Sequence, residues 1–359
     1  MKWPDFEYMR WAKGQPKAPI NLARSGVELC PLSVLGATRR DLVISHPPGY
    51  GWLPLRRAIG RRYRVSADSV FPVSGGTSLA NWVAIAAALD GAPRGSEVIV
   101  ERPTYEPLLR VPQALGHRVR RMNRRWQDDW AVDLDRFARL VTQKTRLAVV
   151  SNLHNPSGAL IPDATLRAMA MRLAEVGGYL LVDEVYAECL WRGRTSSAVH
   201  TGPNVITTNS LTKAYGLDGL RQGWMLGPAD LVERAGWIHD LLGVNGVAPG
   251  EQLSLLAFRK LKAVVTRAHR FLDEGLATLR EWLEAERRLK VSVPPGGNVV
   301  FPRLPAGVDA DRLAERLRTR YGTLVVPGRF FEAPRHVRLS FGIGARKLKR
   351  GLENVSRAL

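Results

Sequence analysis

The stretch Ser210-Leu211-Thr212-Lys213-Ala214-Tyr215-Gly216-Leu217-Asp218-Gly219-Leu220-Arg221 places a lysine at the end of an apolar run and an arginine eight residues later. A lysine amine forms Schiff bases with carbonyls. It is the better nucleophile when burial or neighbouring positive charge lowers its pKa. Arginine stays charged and grips a phosphate or a carboxylate with a planar fork. The pair can therefore hold an aldehyde at one end and a phosphate at the other. In isolation, a lysine that follows a strand is a solvated surface residue. The other parts of such a site must be found elsewhere in the chain.

They are found where strands should end. Phe71-Pro72-Val73-Ser74-Gly75-Gly76-Thr77 leads into the Ala-rich run Ser78 to Leu89. This reads as a glycine turn opening a helix, with Ser74 or Thr77 as its N-cap. The free amides and positive dipole end of such a helix bind anions. Four short apolar runs follow, at Glu97 to Val100, Leu147 to Val150, Tyr179 to Val182 and Val205 to Thr208. Each reads as a buried strand, and helical patterns such as Asp163 to Glu175 lie between some of them. Together they predict an α/β domain with a largely parallel sheet. In such sheets ligands sit beyond the carboxyl ends of the strands.

The residues at those ends carry chemistry. After the first run comes Tyr105, either an ordinary turn residue or a ring that stacks on another ring. After the second comes Asn155-Pro156-Ser157-Gly158, a good β-turn in its own right, whose amide can equally hydrogen-bond a phenolic oxygen. After the third comes Asp183-Glu184-Val185-Tyr186. A carboxylate at a buried strand end is costly unless paired. Beneath a pyridine nitrogen it would keep the ring protonated, and the ring would hold it ionised. The fourth run leads into Ser210 and Lys213.

Other elements must frame this set. Residues 1–20 mix Trp, Phe, Tyr, Lys and Pro and predict an arm or short helix lying on another surface. Leu55 to Tyr63 reads as a basic helix. Leu253 to Arg288 reads as long charged helix with breaks. A Pro-Gly turn, a strand at Val299–Phe301, a helix at Asp309–Arg320 and strands at Thr323–Val326 and His336–Phe341 then predict a second, smaller α+β domain. A chain of 359 residues suggests two domains, and 45% apolar content suits a real core. The net charge of +20 has three readings: nucleic-acid binding, a site for anionic small molecules, or a general arginine bias. The arginines are scattered, which favours the bias with some contribution from the anion site. The densest cluster, Arg118 to Arg125, reads as a solvated face, and no nucleic-acid partner is expected. Cys30 and Cys189 read as free thiols in a reducing compartment, and no metal site is expected. No window reaches transmembrane length and no apolar signal core opens the chain. The expectation is a soluble cytoplasmic protein without a membrane partner.

In this order and at these spacings the motifs resemble the class I/II aminotransferases, the fold-type-I pyridoxal-phosphate enzymes. The matching motifs span Gly75 to Arg338, and the general pattern covers nearly the whole chain. The resemblance implies pyridoxal 5′-phosphate as cofactor. It implies a large domain over residues 40–240 with a mostly parallel seven-stranded sheet flanked by helices. Residues 1–39 and 241–359 then form the N-terminal arm and the small domain. Lys213 corresponds to the family's Schiff-base lysine and Asp183 to the partner of the ring nitrogen. Asn155 and Tyr186 correspond to the partners of the ring hydroxyl, and Tyr105 to the residue stacked on the ring. Gly75, Gly76 and Thr77, with Ser210 and Arg221, correspond to the phosphate cup. Arg338, in Arg338-Leu339-Ser340-Phe341, corresponds to the clamp for the substrate α-carboxylate. The segments Asn21 to Gly26 and Gly296-Gly297-Asn298 correspond to the substrate side.

One position departs from the pattern. The family's tyrosine that reaches the neighbouring subunit's cofactor phosphate is His46 here, with Tyr50 nearby but out of register. The cross-subunit contact then falls to His46, to Tyr50 or to neither, in an expected homodimer with shared sites. The implied reaction moves an amino group from an amino acid to a 2-oxo acid. The same apparatus serves β-elimination, decarboxylation or transamination of a substrate like histidinol phosphate. A ligand-sensing DNA-binding regulator is the rival from another class, and the start of the match near the N-terminus leaves no room for its winged helix domain. The sequence names no amino donor.

Overall fold

The computed structural model describes residues 4–45, 49–190 and 197–359. The chain opens with helix α1 (Glu7–Gly14) and the short strand β1 (Ile20–Asn21). Helix α2 (Leu53–Tyr63) buries Leu55, Ile59 and Tyr63 on one face. Strand β2 (Val70–Ser74) turns through Gly75 into helix α3 (Gly76–Leu89). Then strands and helices alternate: β3 (Glu97–Arg102), α4 (Glu106–Ala114), β4 (Arg118–Asn123), α5 (Leu134–Leu140), β5 (Thr145–Ser151), α6 (Asp163–Ala174) and β6 (Tyr179–Asp183). Strands β7 (Val205–Ser210) and β8 (Gln222–Leu226) complete a seven-stranded sheet in the order β2-β8-β7-β6-β5-β3-β4.

Every neighbouring pair from β4 to β7 is parallel, and β8 runs antiparallel to both β7 and β2. The four apolar runs are β3, β5, β6 and β7 at the centre of this sheet. Alternate residues feed two cores. Val98, Val100, Leu147, Val149, Leu181 and Ile206 face α3. Ile99, Ala148, Val150, Leu180, Val182 and Val205 face α6. Burial on both faces is why these runs are apolar throughout rather than alternating.

Two local expectations are corrected. Neither Ser74 nor Thr77 caps α3. Its N-cap is Gly75, while Ser74 Oγ accepts from Val247 N (2.9 Å) and Thr77 Oγ1 bonds Ser210 Oγ (2.6 Å). The first-turn amides are thereby left without a side-chain cap. The Arg118 to Arg125 cluster is largely not a solvated face but the edge strand β4 and the turn after it. Arg120 donates to Glu97 (3.2 Å), Arg121 pairs with Glu332, and Arg124 donates to Glu101 (2.7 Å) in a fully buried ion pair. Apart from Asp128 beside Arg125, the acids that neutralise it come from distant segments, which spacing could not reveal.

Beyond β8 come α7 (Ala229–Asp240), α8 (Ala248–Arg259) and α9 (Leu261–Ala285). The long charged pattern therefore breaks at Lys260. Strand β9 (Val299–Val300) is followed by α10 (Ala310–Tyr321), N-capped by the Asp309 side chain. Strands β10 (Thr323–Leu324), β11 (Val326–Pro327) and β12 (Val337–Ser340) and helix α11 (Ala345–Ala358) complete the chain. Strands β11, β12 and β9 form an antiparallel sheet, while β10 pairs in parallel with β1. The small α+β unit thus takes in the strand that follows the N-terminal helix. Helix α9 joins the two cores, giving Val264, Ala268 and Leu272 to the larger and Leu279 to the smaller. Among the described residues no helix is long and apolar enough to cross a membrane.

Candidate active site

The carboxyl ends of the central strands open on one cavity of about 430 Å³, closed on its other side by α1 and the segment after β1. Lys213 enters it from the loop after β7. Its amine donates to Ser25 Oγ at 2.7 Å. Burial, with the nearby charges of Arg338 and Arg221 adding to it, pulls its pKa down to about 8. The amine is therefore half neutral near pH 8, well below the pH at which an ordinary lysine loses its proton, as a nucleophile or proton acceptor requires.

Asp183 ends β6 and is buried. Asn81, from α3, donates its amide to Oδ2 (2.9 Å), and the Val185 N–H donates to Oδ1 (3.0 Å). Asn81 is itself oriented by the Thr208 hydroxyl, which donates to its Oδ1. Burial pushes the Asp183 carboxyl up to about 6, against the pull of these two hydrogen bonds and of Lys213. The carboxylate is thus positioned on both oxygens. Tyr186 Oη is buried without a hydrogen-bond partner of sound geometry, and burial raises its phenol. An orphaned buried hydroxyl beside a cavity calls for a polar group in that cavity.

Asn155 follows β5. Its N–H donates to Ser151 Oγ (3.0 Å), and the Ser151 hydroxyl and N–H both donate to the buried Glu101 (2.6 and 2.7 Å). This network fixes the turn, and Asn155 Oδ1 accepts from Arg338 Nη1 at 3.0 Å. Arg338, on β12, is fully buried. Its Nη2 donates to Tyr8 Oη (2.8 Å) and Ala23 O (3.2 Å), and its Nε has no partner. Each of these acceptors is neutral. A buried guanidinium so held is costly and is completed by an anion.

At the other end, Arg221 Nη2 donates to Gly75 O (2.7 Å), and Gly76 N donates to Arg221 O (2.6 Å). Gly76 has φ +69°, and a Cβ there would stand 3.0 Å from Arg221 Nη2. Ser210 Oγ bonds both Thr77 Oγ1 and Thr212 Oγ1 at 2.6 Å. Uncapped helix amides, a guanidinium and a hydroxyl cluster make an anion cradle. Pyridoxal phosphate fits this set. The cradle suits its phosphate, the Lys213 amine its aldehyde, and Asp183 its ring nitrogen. The orphaned Tyr186 hydroxyl suits the ring oxygen.

Of the residues expected from sequence, Gly26, Thr77, Tyr105, Asn155, Asp183, Tyr186, Lys213, Arg221 and Arg338 line this cavity, and Gly75, Gly76 and Ser210 form its wall behind the cradle. Gly296, Gly297 and Asn298 do not line it. Gly296 packs on Cys189–Leu190, and Gly297 N bonds Cys189 O. Tyr50 is exposed, stacks on Gly236 and donates to Asp240 Oδ2 (3.1 Å), away from this chain's own cavity. His46 lies outside the described residues. Sequence reasoning missed Tyr8 and Asn81, and it had Ser25 only within the segment Asn21 to Gly26 expected on the substrate side, of which Asn21, Ala23, Arg24, Ser25 and Gly26 line the cavity. Asn81 carried a signal, a polar residue within the Ala-rich apolar run of α3. Tyr8 carried none, and nothing local marked the Ser25 contact with Lys213, since only folding brings the N-terminal segment to the site.

The family model for class I and II aminotransferases matches residues 45–355. The chain is 33% identical to capreomycidine synthase of Streptomyces vinaceus over 91% of this chain and 84% of that protein. The crystal structure of a pyridoxal-phosphate-dependent aminotransferase from Streptococcus suis superposes with a TM-score of 0.91 at 25% identity, covering 100% of this chain and 98% of that one. A pyridoxal-phosphate-dependent cyclase, OrfR, superposes with a TM-score of 0.89 at 27% identity, covering 99% of this chain and 97% of that one.

Proposed function

Because the chain belongs to the class I and II aminotransferase family, we propose that it moves an amino group from an amino acid to a 2-oxo acid, with Lys213 as the residue that bonds the cofactor aldehyde and carries the proton. One observation supports this above others. A lysine amine with its pKa drawn to about 8 shares a cavity with a fully buried arginine held only by neutral acceptors.

The cofactor of the family is pyridoxal phosphate. When bound, it supplies an aldehyde for the substrate amine and a protonated ring that stabilises negative charge at the substrate α-carbon. Arg221, Gly75, Gly76, Thr77 and Ser210 would hold its phosphate, and Tyr105 would lie against its ring. Asp183 would pair with the ring nitrogen, and Asn155 and Tyr186 would serve the ring hydroxyl. Arg338, steadied by Asn155 and Tyr8, takes the substrate α-carboxylate with its fork. The Gly26 segment closes that side. Lys213 Nζ, free and neutral, takes the proton from the α-carbon and delivers it along the cavity. Proton transfer of this kind is worth about 10²–10⁴-fold in rate.

The test is stoichiometric. Given an amino donor and no oxo acid, the holoenzyme releases one 2-oxo acid per site and stops. Adding an acceptor restarts it. Lys213→Ala lowers the rate by about 10²–10⁴-fold or more. A second reading has support of its own in the likeness to capreomycidine synthase and to the cyclase. It is elimination or ring closure that leaves the cofactor ready for another cycle. Under that reading, turnover continues with no acceptor present.

A further inference from the structure

Ser25 belongs to none of the roles above, yet its hydroxyl is the hydrogen-bond acceptor for Lys213 Nζ, at 2.7 Å. The placement comes from backbone rather than from a flexible side chain. The segment after β1 is laid against the Lys213 loop by Val27 N to Lys213 O (2.9 Å) and Cys30 N to Gly216 O (2.8 Å). Gly26 permits the approach, because a Cβ there would stand 3.2 Å from Thr212 O. Ser25 has one side-chain torsion, so little entropy is lost in holding its hydroxyl still. Ser25 and Lys213 both line the cavity.

We infer that Ser25 is a positioning residue for proton transfer: its hydroxyl accepts one N–H of the free Lys213 amine and so turns the nitrogen lone pair into the cavity. The inference rests on the assignment of Lys213 as the proton carrier. The neutral amine gives one N–H to Ser25 and keeps its lone pair. The lone pair takes the α-proton, making an ammonium with three N–H groups, and one of these still points to Ser25 Oγ. The ammonium then gives a proton back to the bound substrate and returns to the amine. Ser25 keeps its own proton throughout. An acceptor that meets the charged form stabilises it, so the hydroxyl also keeps the amine basic enough to take the proton.

The experiment uses the cofactor-free protein and pyridoxal phosphate as the probe. The rate of covalent capture by Lys213 is followed by absorbance across pH for the parent, Ser25→Ala and Ser25→Thr. Loss of the acceptor moves the midpoint of Ser25→Ala down by about one pH unit, and Ser25→Thr restores it. With an α-deuterated amino acid, the holoenzyme of Ser25→Ala shows a kcat about tenfold lower, with KM little changed and a larger isotope effect. An unchanged midpoint in Ser25→Ala overturns the inference. So does a shift that Ser25→Thr fails to restore, because that would be repacking rather than a lost hydroxyl. Covalent capture by Lys213→Ala would instead refute the Lys213 assignment, whatever the Ser25 variants do.

Discussion

Lys213 lies in the field of two arginines, and both discourage a third positive charge. Burial is the larger cause of its depressed pKa, Arg338 the next and Arg221 the third. A lysine pulled below its ordinary value of about 10.4 is neutral at lower pH, so its reactions with aldehydes rise with pH through the lowered value. In the cofactor-free protein, capture of pyridoxal phosphate should be half-maximal near pH 8 and increase above it. Stopped-flow absorbance across pH checks this, and a midpoint near 10 would mean that the amine is solvated. Asp183 moves the opposite way. Its carboxyl is raised to about 6, so it ionises above that pH, with Asn81 and Val185 already in place to receive the charge. The two groups are driven toward each other in pKa by the same burial, acting on an acid and on a base.

Helices α3 and α9 show how elements reach the site without touching substrate. The N-terminus of α3 begins on glycine and its hydroxyl neighbours bond elsewhere, so that beyond Gly76 N, which Arg221 O takes, its first-turn amides are left for an anion. Four residues on from Thr77, the same helix turns Asn81 toward Asp183. Helix α9 bears on the strand that carries Arg338 through Phe341, the residue that follows β12. Gly275 lies where α9 crosses the chain end of β12, and a Cβ there would stand 2.0 Å from Phe341 O. Backbone cannot swing aside as a side chain can. Alanine would gain about 1 kcal/mol in helix propensity and lose about 1–3 kcal/mol or more to overpacking. We expect Gly275→Ala to destabilise the protein by about 1–2 kcal/mol net. Denaturant unfolding would show a lower midpoint at an unchanged slope, and an equal or higher midpoint would disprove the close contact.

At the scale of the whole molecule, one face is unusually apolar. Ile44 is 87% exposed and Leu241 86%, with Trp237, Val244 and Val247 also largely exposed. The segments that carry them are tied together, as Val43 N bonds Gln252 on α8 and Tyr50 packs on Gly236 of α7. A patch of this kind on a globular protein marks an association surface. Tyr50 lies on it, pointing away from its own cavity, where a second copy would meet it. The expected assembly is a homodimer. Light scattering coupled to gel filtration should give about twice the 39.8 kDa chain mass. The double variant Ile44→Glu, Leu241→Glu should shift it to the monomer. A monomeric parent at micromolar concentration would reject the assignment of this face.

The parts of the site that follow a strand were legible because two local rules act together. Buried parallel strands must be apolar on both faces, so β3, β5, β6 and β7 announce themselves, and the polar residue that follows each stands at a ligand edge. Tyr105, Asn155, Asp183 and Lys213 were found that way. Arg338 was found through its motif, and the seven-stranded sheet through the family resemblance. Strand β4 was not legible, since its arginines depend on Glu97, Glu101 and Glu332 from other segments. Neither were the contacts of Tyr8 and Ser25, which are 330 and 188 residues from the side chains they meet. The sequence by itself determined which residue types stand at each strand end, because burial and chain direction are local matters. Only the tertiary structure decided which distant hydroxyl meets the lysine and what holds the arginine, because those contacts are made by pieces that local pattern leaves unrelated.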